Sequence, residues 1–444
     1  MKRSYNLRRR NRRPILSVCM KLSLVAISLL VILNFSIPGI AFRSTSYSTT
    51  TKDTPLAMAT TTSTAILESR LRAALWGLFS GDALASPTHW YYGGARQIQG
   101  DYGRDGITTY TKPVTNLYGS ILNKSNTNGG GRGSFTKRGG ISIIGDVINH
   151  GKRPLWDPKK SIHYHATLQK GENTLEAQLV RVLMKSIVEN DGKFSKKHFL
   201  QAYVAFMTTP DSHNDTYAST CHRMFFANRI FEKREWEDCP DNDEHNVDAI
   251  DALVFPTVVA LASVASSMTT SNADVMEIKE KARSDSASCV SVTRRSDLME
   301  SVSMAWSDVV YDALTANDDE GMFQSLQALM TNSLGIKRAP QRNGRDEMSA
   351  CYISQSLPSA VDMIAKYSTS PDRTNDVWTG LIANANVGGE NVHRGCILGA
   401  ILGARAGMDS IPKEKLVDGL YDKEKLEQEI DDFVEAVLGK KRQE

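Results

Sequence analysis

The sequence has few cysteines, no basic block beyond its first residues and no long run of alternating apolar residues. Six cysteines occur in 444 residues, and the five after Cys19 show no paired spacing, so no disulfide framework is indicated. Residues 1–41 hold eight basic residues and no acid, which leaves the rest of the chain at −5 against +3 overall. A mildly acidic body of this kind argues against nucleic acid as a partner.

The missing alternation also argues against a substantial β-sheet, because half-buried strands repeat every two residues. Apolar residues recur instead with helical period, and the ranges predicted to be helical are 66–79, 174–188, 196–208, 215–233, 248–266, 298–314, 320–333, 356–367, 372–384 and a charged pair over 413–438. A poorly helical insertion follows the first helix over 93–158, and the Ser-rich stretch 267–296 is predicted to be a loop. These ranges predict an all-α protein with a single large multi-helix bundle over 66–440.

The N-terminal residues have the composition of a targeting segment. A basic run is followed by an apolar core over 22–35 and a small-residue cleavage signal ending at Ala41, which is typical of a signal peptide. A signal anchor crossing the membrane once is the alternative. Residues 42–65 are rich in Ser and Thr, as in a transit peptide or a disordered spacer. We therefore expect entry into the secretory pathway, with onward transport to a plastid or single-pass anchoring as the two outcomes, and membrane contact through this segment alone if it stays uncleaved.

A segment near the C-terminus has glycine at every fourth position, at 395, 399, 403 and 407. Glycine inside a helix costs about 1 kcal/mol relative to alanine. Four glycines on one helix face therefore predict the close approach of a neighbouring helix. The run GGENVHRG at 388–395 places Glu390, Asn391, His393 and Arg394 at the N-terminus of this helix, where anions or a carboxylate-held metal are favoured.

Three motifs carry a resemblance to a known family. The run GLFSGDALA at 77–85 resembles the GDA-L/M-G signature of ADP-ribosylglycohydrolases, the family of dinitrogenase reductase-activating glycohydrolase. The run GGENVHRG resembles the family's closing GGD-S/T-DT motif, and ENTLEAQL at 172–179 falls where the family has TDDT. The chain is identified on these motifs, over 66–407, as a divergent member. The resemblance implies an all-α fold and cleavage of a glycosidic bond in an ADP-ribosyl conjugate.

The resemblance also implies two magnesium ions held by four aspartates with flanking threonines, and here the sequence departs from the family. The TDDT aspartates become Asn173 and Thr174, and the later pair become Glu390 and Val392. Magnesium requires hard oxygen ligands in a near-octahedral shell. We therefore expect the two-magnesium site to be lost.

One divalent ion is the alternative cofactor, because imidazole suits zinc better than magnesium. The final threonine of the closing motif is replaced by His393. A second polar cluster, His213-Asn214-Asp215, stands at the start of the helix predicted over 215–233. The predicted ligands of a single ion are Glu390, His393 and Asp215.

Two functions stay open. The first is a divergent hydrolase that cleaves a glycosidic bond of an ADP-ribosyl or related nucleotide conjugate, and the second is a catalytically inactive module that binds ADP-ribose or a nucleotide. In the hydrolase the predicted catalytic residues are Glu390, Asp215, His213 and His393. The predicted substrate-binding residues are Asp82, Asn173, Thr174, Asn214, Asn391 and Arg394. The expected partner is a nucleotide-like small molecule or an ADP-ribosylated protein.

Several of these residues have a structural alternative. Asn173, Thr174, Asn214 and Asp215 can cap helices, and Asp82 can bond a helix end. Arg394 can pair with a carboxylate inside the bundle. The aromatic run HWYY at 89–92 can stack an adenine or form a buried cluster, and the latter is commoner. The run HYH at 163–165 is predicted to mark a loop rather than a ligand set.

Overall fold

Fourteen α-helices run through the part of the chain described by this computed structural model, which comprises residues 56–129, 140–240, 247–269, 274–315, 318–368 and 373–440. They are α1 (Leu56–Ala85), α2 (Gly94–Tyr102), α3 (Leu175–Glu189), α4 (Lys196–Thr208), α5 (Thr220–Phe231), α6 (Val254–Thr269), α7 (Val275–Val290), α8 (Asp297–Thr315), α9 (Glu320–Leu334), α10 (Ile353–Ser368), α11 (Arg373–Val387), α12 (Asn391–Ala406), α13 (Lys413–Leu416) and α14 (Lys423–Val437). These residues include isolated β-bridges and no strand. The prediction of an all-α bundle is confirmed.

Helices α1 and α12 form the centre of the fold and cross with almost no side chain between them. A Cβ atom added to Gly399 would lie 2.0 Å from the carbonyl oxygen of Gly77. One added to Gly395 would lie 2.5 Å from the carbonyl oxygen of Gly81. Residue numbers rise along α1 as they fall along α12, so the two helices are antiparallel. The predicted close approach at the glycine face is therefore confirmed. At Gly407 the helix has ended, and φ is 70°.

The remaining helices enclose this pair. Helix α6 is buried along most of its length, and α7 and α8 pack against it. Residues Ile250–Thr269 are long and apolar enough to cross a membrane, yet 78% of that stretch is buried, as in a core helix. The loop predicted over 267–296 is wrong, because α7 occupies much of it. Its residues Ile278 and Ala282, one turn apart, are buried, and its serine-rich composition concealed that apolar face.

The insertion after α1 contains little regular structure in its described residues beyond the nine-residue α2. Backbone hydrogen bonds fix it against the segment preceding α3: Leu117 N donates to Ser161 O at 2.8 Å, and His163 N donates to Thr115 O at 3.0 Å. The insertion therefore positions the histidines at 163 and 165 over the helical bundle.

The N-terminal predictions fall mostly outside the described residues. Residues 1–55, which include the expected signal segment over 1–41, lie outside them. Residues 54–444 form one unit by their contacts. Helix α1 begins at Leu56, ten residues before the predicted start at 66, so the end of the Ser/Thr-rich stretch 42–65 is helical.

Candidate active site

Two buried aspartates bond the N-terminus of α3. Asp82, near the end of α1, accepts the backbone N–H of Thr174 at 2.8 Å, its hydroxyl at 2.6 Å and the side-chain amide of Asn173 at 2.9 Å. Asp215, before α5, accepts the N–H of Leu175 at 2.8 Å. Carboxylates stabilise a helix N-terminus by accepting its free N–H groups. Asp82 and Asp215 therefore cap a helix to which neither belongs.

A line of hydrogen-bonded side chains runs from Asp215 to the N-terminus of α12. His165 Nδ1 lies 2.8 Å from Asp215 Oδ1, and His165 Nε2 lies 2.7 Å from His89 Nδ1. His89 Nε2 then lies 3.2 Å from Glu390 Oε1. All four residues are at most 2% exposed. The fold thus joins two carboxylates through two imidazoles in its interior.

Glu390 stands at the start of α12 and is held by three side chains. Its Oε1 contacts His393 Nδ1 as well as His89, and its Oε2 accepts the indole N–H of Trp90. Burial would raise the pKa of Glu390, but the charge of His393 outweighs it and holds that pKa well below its usual range. Burial likewise would lower the pKa of His393, and the Glu390 carboxylate raises it to about 9. At neutral pH this is an ion pair in a dry environment.

When both imidazoles are neutral, the line of bonds assigns which nitrogen of each histidine carries its proton. An ionised Asp215 only accepts, so His165 donates through Nδ1 and accepts through Nε2. His89 then donates through Nδ1. Burial lowers the pKa of His89 to about 4, so at neutral pH its Nε2 presents a lone pair towards Glu390 Oε1. Two acceptors therefore face each other across 3.2 Å.

An aromatic cluster covers this line. The Trp90 ring meets those of Tyr164 and Tyr217 edge to face, with centroids 4.5 Å and 4.9 Å apart, and Tyr217 stacks on Trp156 at 5.9 Å. The guanidinium of Arg223 lies 5.2 Å from the Trp156 ring. Trp90 is partly exposed, whereas Glu390 behind it is buried. The Trp90 backbone has φ of 59°, a conformation unusual for a bulky residue.

Two residues predicted to bind substrate support the start of α12 instead. Arg394 is fully buried and donates to Asn384 Oδ1 at 2.7 Å, Ser349 Oγ at 2.8 Å and the Gly388 carbonyl at 3.1 Å. Asn391 is also fully buried and donates to Thr88 Oγ1 at 2.7 Å. The donors of Arg394 thus face protein acceptors in this structure, and its role in binding substrate stays a prediction.

His213 and Asn214 lie apart from the line, in a cavity of about 330 Å³ beside the start of α3. The side chain of Asn214 donates to the Thr167 carbonyl at 2.6 Å and accepts from Lys152 Nζ at 3.1 Å. His213 stacks on Phe206, and burial lowers its pKa to about 4. The structure brings Glu390 and His393 into contact and places Asp215 at the other end of the line, two imidazoles away, with Asp82, Asn173 and Thr174 around the start of α3. It leaves His213 and Asn214 in the neighbouring cavity.

Sequence reasoning missed the two histidines that complete the line. His89 follows α1 directly, and His165 lies in the irregular segment before α3. Neither has a helical period around it, so nothing assigned their side chains to a face. The one available signal was the concentration of four histidines at 89, 163, 165 and 393 in a chain with nine.

The described residues form an all-α fold whose polar centre lies at the N-termini of α3 and α12. The ADP-ribosylglycohydrolase family model matches residues 63–443, and the chain belongs to that family. A solved structure described as an ADP-ribosylglycohydrolase-related protein complex is similar over 84% of this chain and 98% of its own, with 14% identity and a TM-score of 0.46. No curated protein matches the chain by sequence.

The two-magnesium centre implied by the resemblance does not fit the residues present. The carboxylate oxygens of Asp82 and Asp215 are bonded to α3 and to His165. Both carboxylate oxygens of Glu390 contact protein groups, namely Trp90 and the two histidines. Val392 is fully buried and offers no donor atom. Two magnesium ions need carboxylate and water oxygens that converge on shared points. The described residues of this site supply imidazoles and hydrogen-bonded carboxylates instead.

Proposed function

We propose that this chain hydrolyses a glycosidic bond of an ADP-ribosyl or related nucleotide conjugate without a two-magnesium centre. The observation that carries the proposal is the buried line Asp215–His165–His89–Glu390–His393. A buried polar network is costly unless fully satisfied, and groups with perturbed pKa values cluster at functional sites. The pKa values of His89 and His393 are displaced in opposite directions, to about 4 and about 9, which is typical of an acid and base assignment.

These residues match the demands of the reaction. Cleavage at the anomeric carbon develops positive charge, which an ionised Glu390 stabilises. The protonated His393 donates to the departing group. The neutral His89 accepts a proton from the attacking water through Nε2, while His165 and Asp215 hold its ring and tautomer, as the third member of a catalytic triad does.

The aromatic cluster supports a nucleotide-like substrate. Trp90, the partly exposed member of the cluster, offers a ring surface on which an adenine can stack, and the buried Tyr164 and Tyr217 hold it edge to face. The Trp90 indole lies between Glu390 and the partly exposed surface, so a substrate has to displace it to reach the carboxylate. We propose that stacking replaces the hydrogen bond that Trp90 gives to Glu390.

The proposal is tested with ADP-ribosylated proteins that carry N- or O-glycosidic links, by measuring released ADP-ribose by mass spectrometry. We expect turnover by the full chain, and we expect His165→Gln to lower kcat about 10²-fold with little change in KM, since it removes the group that orients the base. His198→Gln is the control, because this partly exposed histidine bonds Ser186 at 2.8 Å and lies outside the line. Absence of turnover on every link, or equal effects of the two variants, would overturn the proposal.

A second function, binding without catalysis, is favoured by one specific observation. Both Glu390 oxygens are engaged by protein groups, and the residue is 1% exposed. A closed carboxylate of this kind fits a module that keeps the ligand-binding aromatic cluster and has lost the reaction. Saturable ADP-ribose binding, lost in Trp90→Ala, together with no turnover on any link, would establish this function in place of hydrolysis.

A further inference from the structure

We propose that His89, Glu390 and His393 bind one zinc-like divalent transition-metal ion. This inference rests on the proposed function but replaces its proton transfers at His89 and His393, because a nitrogen that ligates an ion has neither a lone pair nor a proton to transfer; it is argued from the contacts alone. One ligand atom from each of the three side chains lies within 4.8 Å of the other two, and all three residues are buried. They come from the end of the first helical segment and from the start of α12, which the glycine contact holds together.

The spacing suits a tetrahedral ion. Zinc binds imidazole nitrogen at about 2.0–2.1 Å, which puts neighbouring ligands of a tetrahedron roughly 3.3 Å apart. His89 Nε2 and Glu390 Oε1 are 3.2 Å apart. His393 Nδ1 contacts the same carboxylate oxygen and needs to turn outward slightly to open the third edge.

The surroundings orient these ligands as a metal site requires. A ligating histidine usually donates its other N–H to a carboxylate or another acceptor, which fixes the coordinating nitrogen. His89 Nδ1 donates to His165 Nε2 at 2.7 Å, and His165 donates to Asp215 at 2.8 Å. The lone pair of His89 Nε2 is thereby directed at Glu390 Oε1. This relay assigns Asp215, predicted above to be a ligand, to the role of orienting one.

The second oxygen of the carboxylate is held too. Trp90 donates its indole N–H to Glu390 Oε2, which leaves Oε1 as the single oxygen directed towards the histidines. A set of two imidazoles and one carboxylate oxygen favours zinc, cobalt or copper over magnesium. Three protein ligands leave one tetrahedral position for water or a substrate oxygen, the arrangement found in catalytic zinc sites.

The metal ion and a proton compete for the position between His393 Nδ1 and Glu390 Oε1. In the metal-free protein a proton lies between His393 Nδ1 and Glu390 Oε1. An incoming ion takes this place, and the proton is released to solvent, because metal ligands bind in their deprotonated form. The charge at the centre rises by one, since a dication replaces one proton.

The test is calorimetric titration of the chelator-treated full chain with zinc chloride and, separately, cobalt chloride. We expect one ion per chain, and we expect the cobalt complex to show the visible absorption of a tetrahedral site. His89→Gln should abolish binding. Asp215→Asn should weaken it by about 10–100-fold, the usual effect of losing a group that orients a ligand. His198→Gln, which changes a partly exposed histidine bonded to Ser186 at 2.8 Å, should leave the affinity within about twofold.

Circular dichroism of each variant separates lost ligands from lost folding. If His89→Gln does not fold, the cobalt spectrum of the unmodified chain decides, because an octahedral spectrum or no binding overturns the proposal. Undiminished binding in a folded His89→Gln also overturns it. One ion bound without any turnover would overturn hydrolysis and leave the metal site, whereas turnover in a chelator together with no zinc or cobalt bound in the titration would overturn the metal site and leave hydrolysis.

Discussion

Gly399→Ala should destabilise the fold by about 1–3 kcal/mol, towards the upper end of that range, in urea denaturation followed by circular dichroism. The new methyl group would lie 2.0 Å from the carbonyl oxygen of Gly77, far inside van der Waals contact. That atom belongs to the backbone of α1, so no side-chain rotation relieves the clash and the two central helices have to separate. Separation weakens the buried packing along both helices.

Three further variants make this result specific. Gly77→Ala meets the carbonyl of Gly399 at 2.1 Å and should cost a similar free energy. The double variant should cost less than the two losses added, because helices already separated accommodate the second methyl group. Gly321→Ala in α9 is the control: its Cβ meets nothing within 4 Å, so it should be neutral or stabilising by up to about 1 kcal/mol. A Gly399→Ala protein as stable as Gly321→Ala would refute the close helix contact.

Glu390→Gln should cost about 3–5 kcal/mol of unfolding free energy at neutral pH in buffer that contains a chelator. Glutamine keeps the shape of the side chain and removes its charge, which leaves the buried His393 imidazolium without its anion. It also places an amide where His89 and Trp90 now meet carboxylate oxygens. Removing one partner of a buried pair costs far more than the pair contributes in net terms, because the remaining group stays desolvated.

Glu189→Gln is the matched control for the loss of a carboxylate. The Glu189 side chain is 48% exposed and lies 3.7 Å from Lys185 in a surface pair. Exposed pairs contribute about 0–1 kcal/mol, so this variant should unfold almost as the unmodified chain does. Equal stability of the Glu390→Gln and Glu189→Gln proteins would show that Glu390 is not part of a buried ion pair.

Most of the fold could be predicted from local patterns, because helical period and glycine spacing report directly on which face is buried. The exceptions are physical. Helix α7 was hidden by serine, whose small side chain is tolerated beside Ile278 and Ala282 in a packed face. The early start of α1 at Leu56 was hidden by threonine and serine over 60–64, whose composition is that of a spacer.

The candidate site could be predicted only in part. Glu390 and His393 follow from the motif at the start of α12, and Asp215 from its position before a helix. The pairing of Asp215 with His165, 50 residues away, and of His89 with Glu390, 301 residues away, is set by tertiary packing. Sequence spacing carries no information on such contacts when both partners lie in irregular segments.

His213 and Asn214 illustrate the opposite case, in which neighbours in the sequence are separated in space. His213, Asn214 and Asp215 are neighbours in sequence, and the turn before α5 directs Asp215 inward while the first two face the cavity. A cluster of polar residues in the sequence therefore does not make a cluster in space. The sequence predicts that all three residues meet at one centre, and only the structure separates Asp215 from His213 and Asn214.

Calorimetric titration of the chelator-treated full chain with magnesium chloride tests the central claim most directly, namely that histidines have replaced the family's two-magnesium centre. We predict weak binding without two-site stoichiometry. Magnesium should then shift the thermal midpoint very little, because a ligand stabilises only by RT ln(1 + [L]/Kd). Two magnesium ions bound per chain with micromolar affinity, and a stability that falls when they are removed, would contradict the claim.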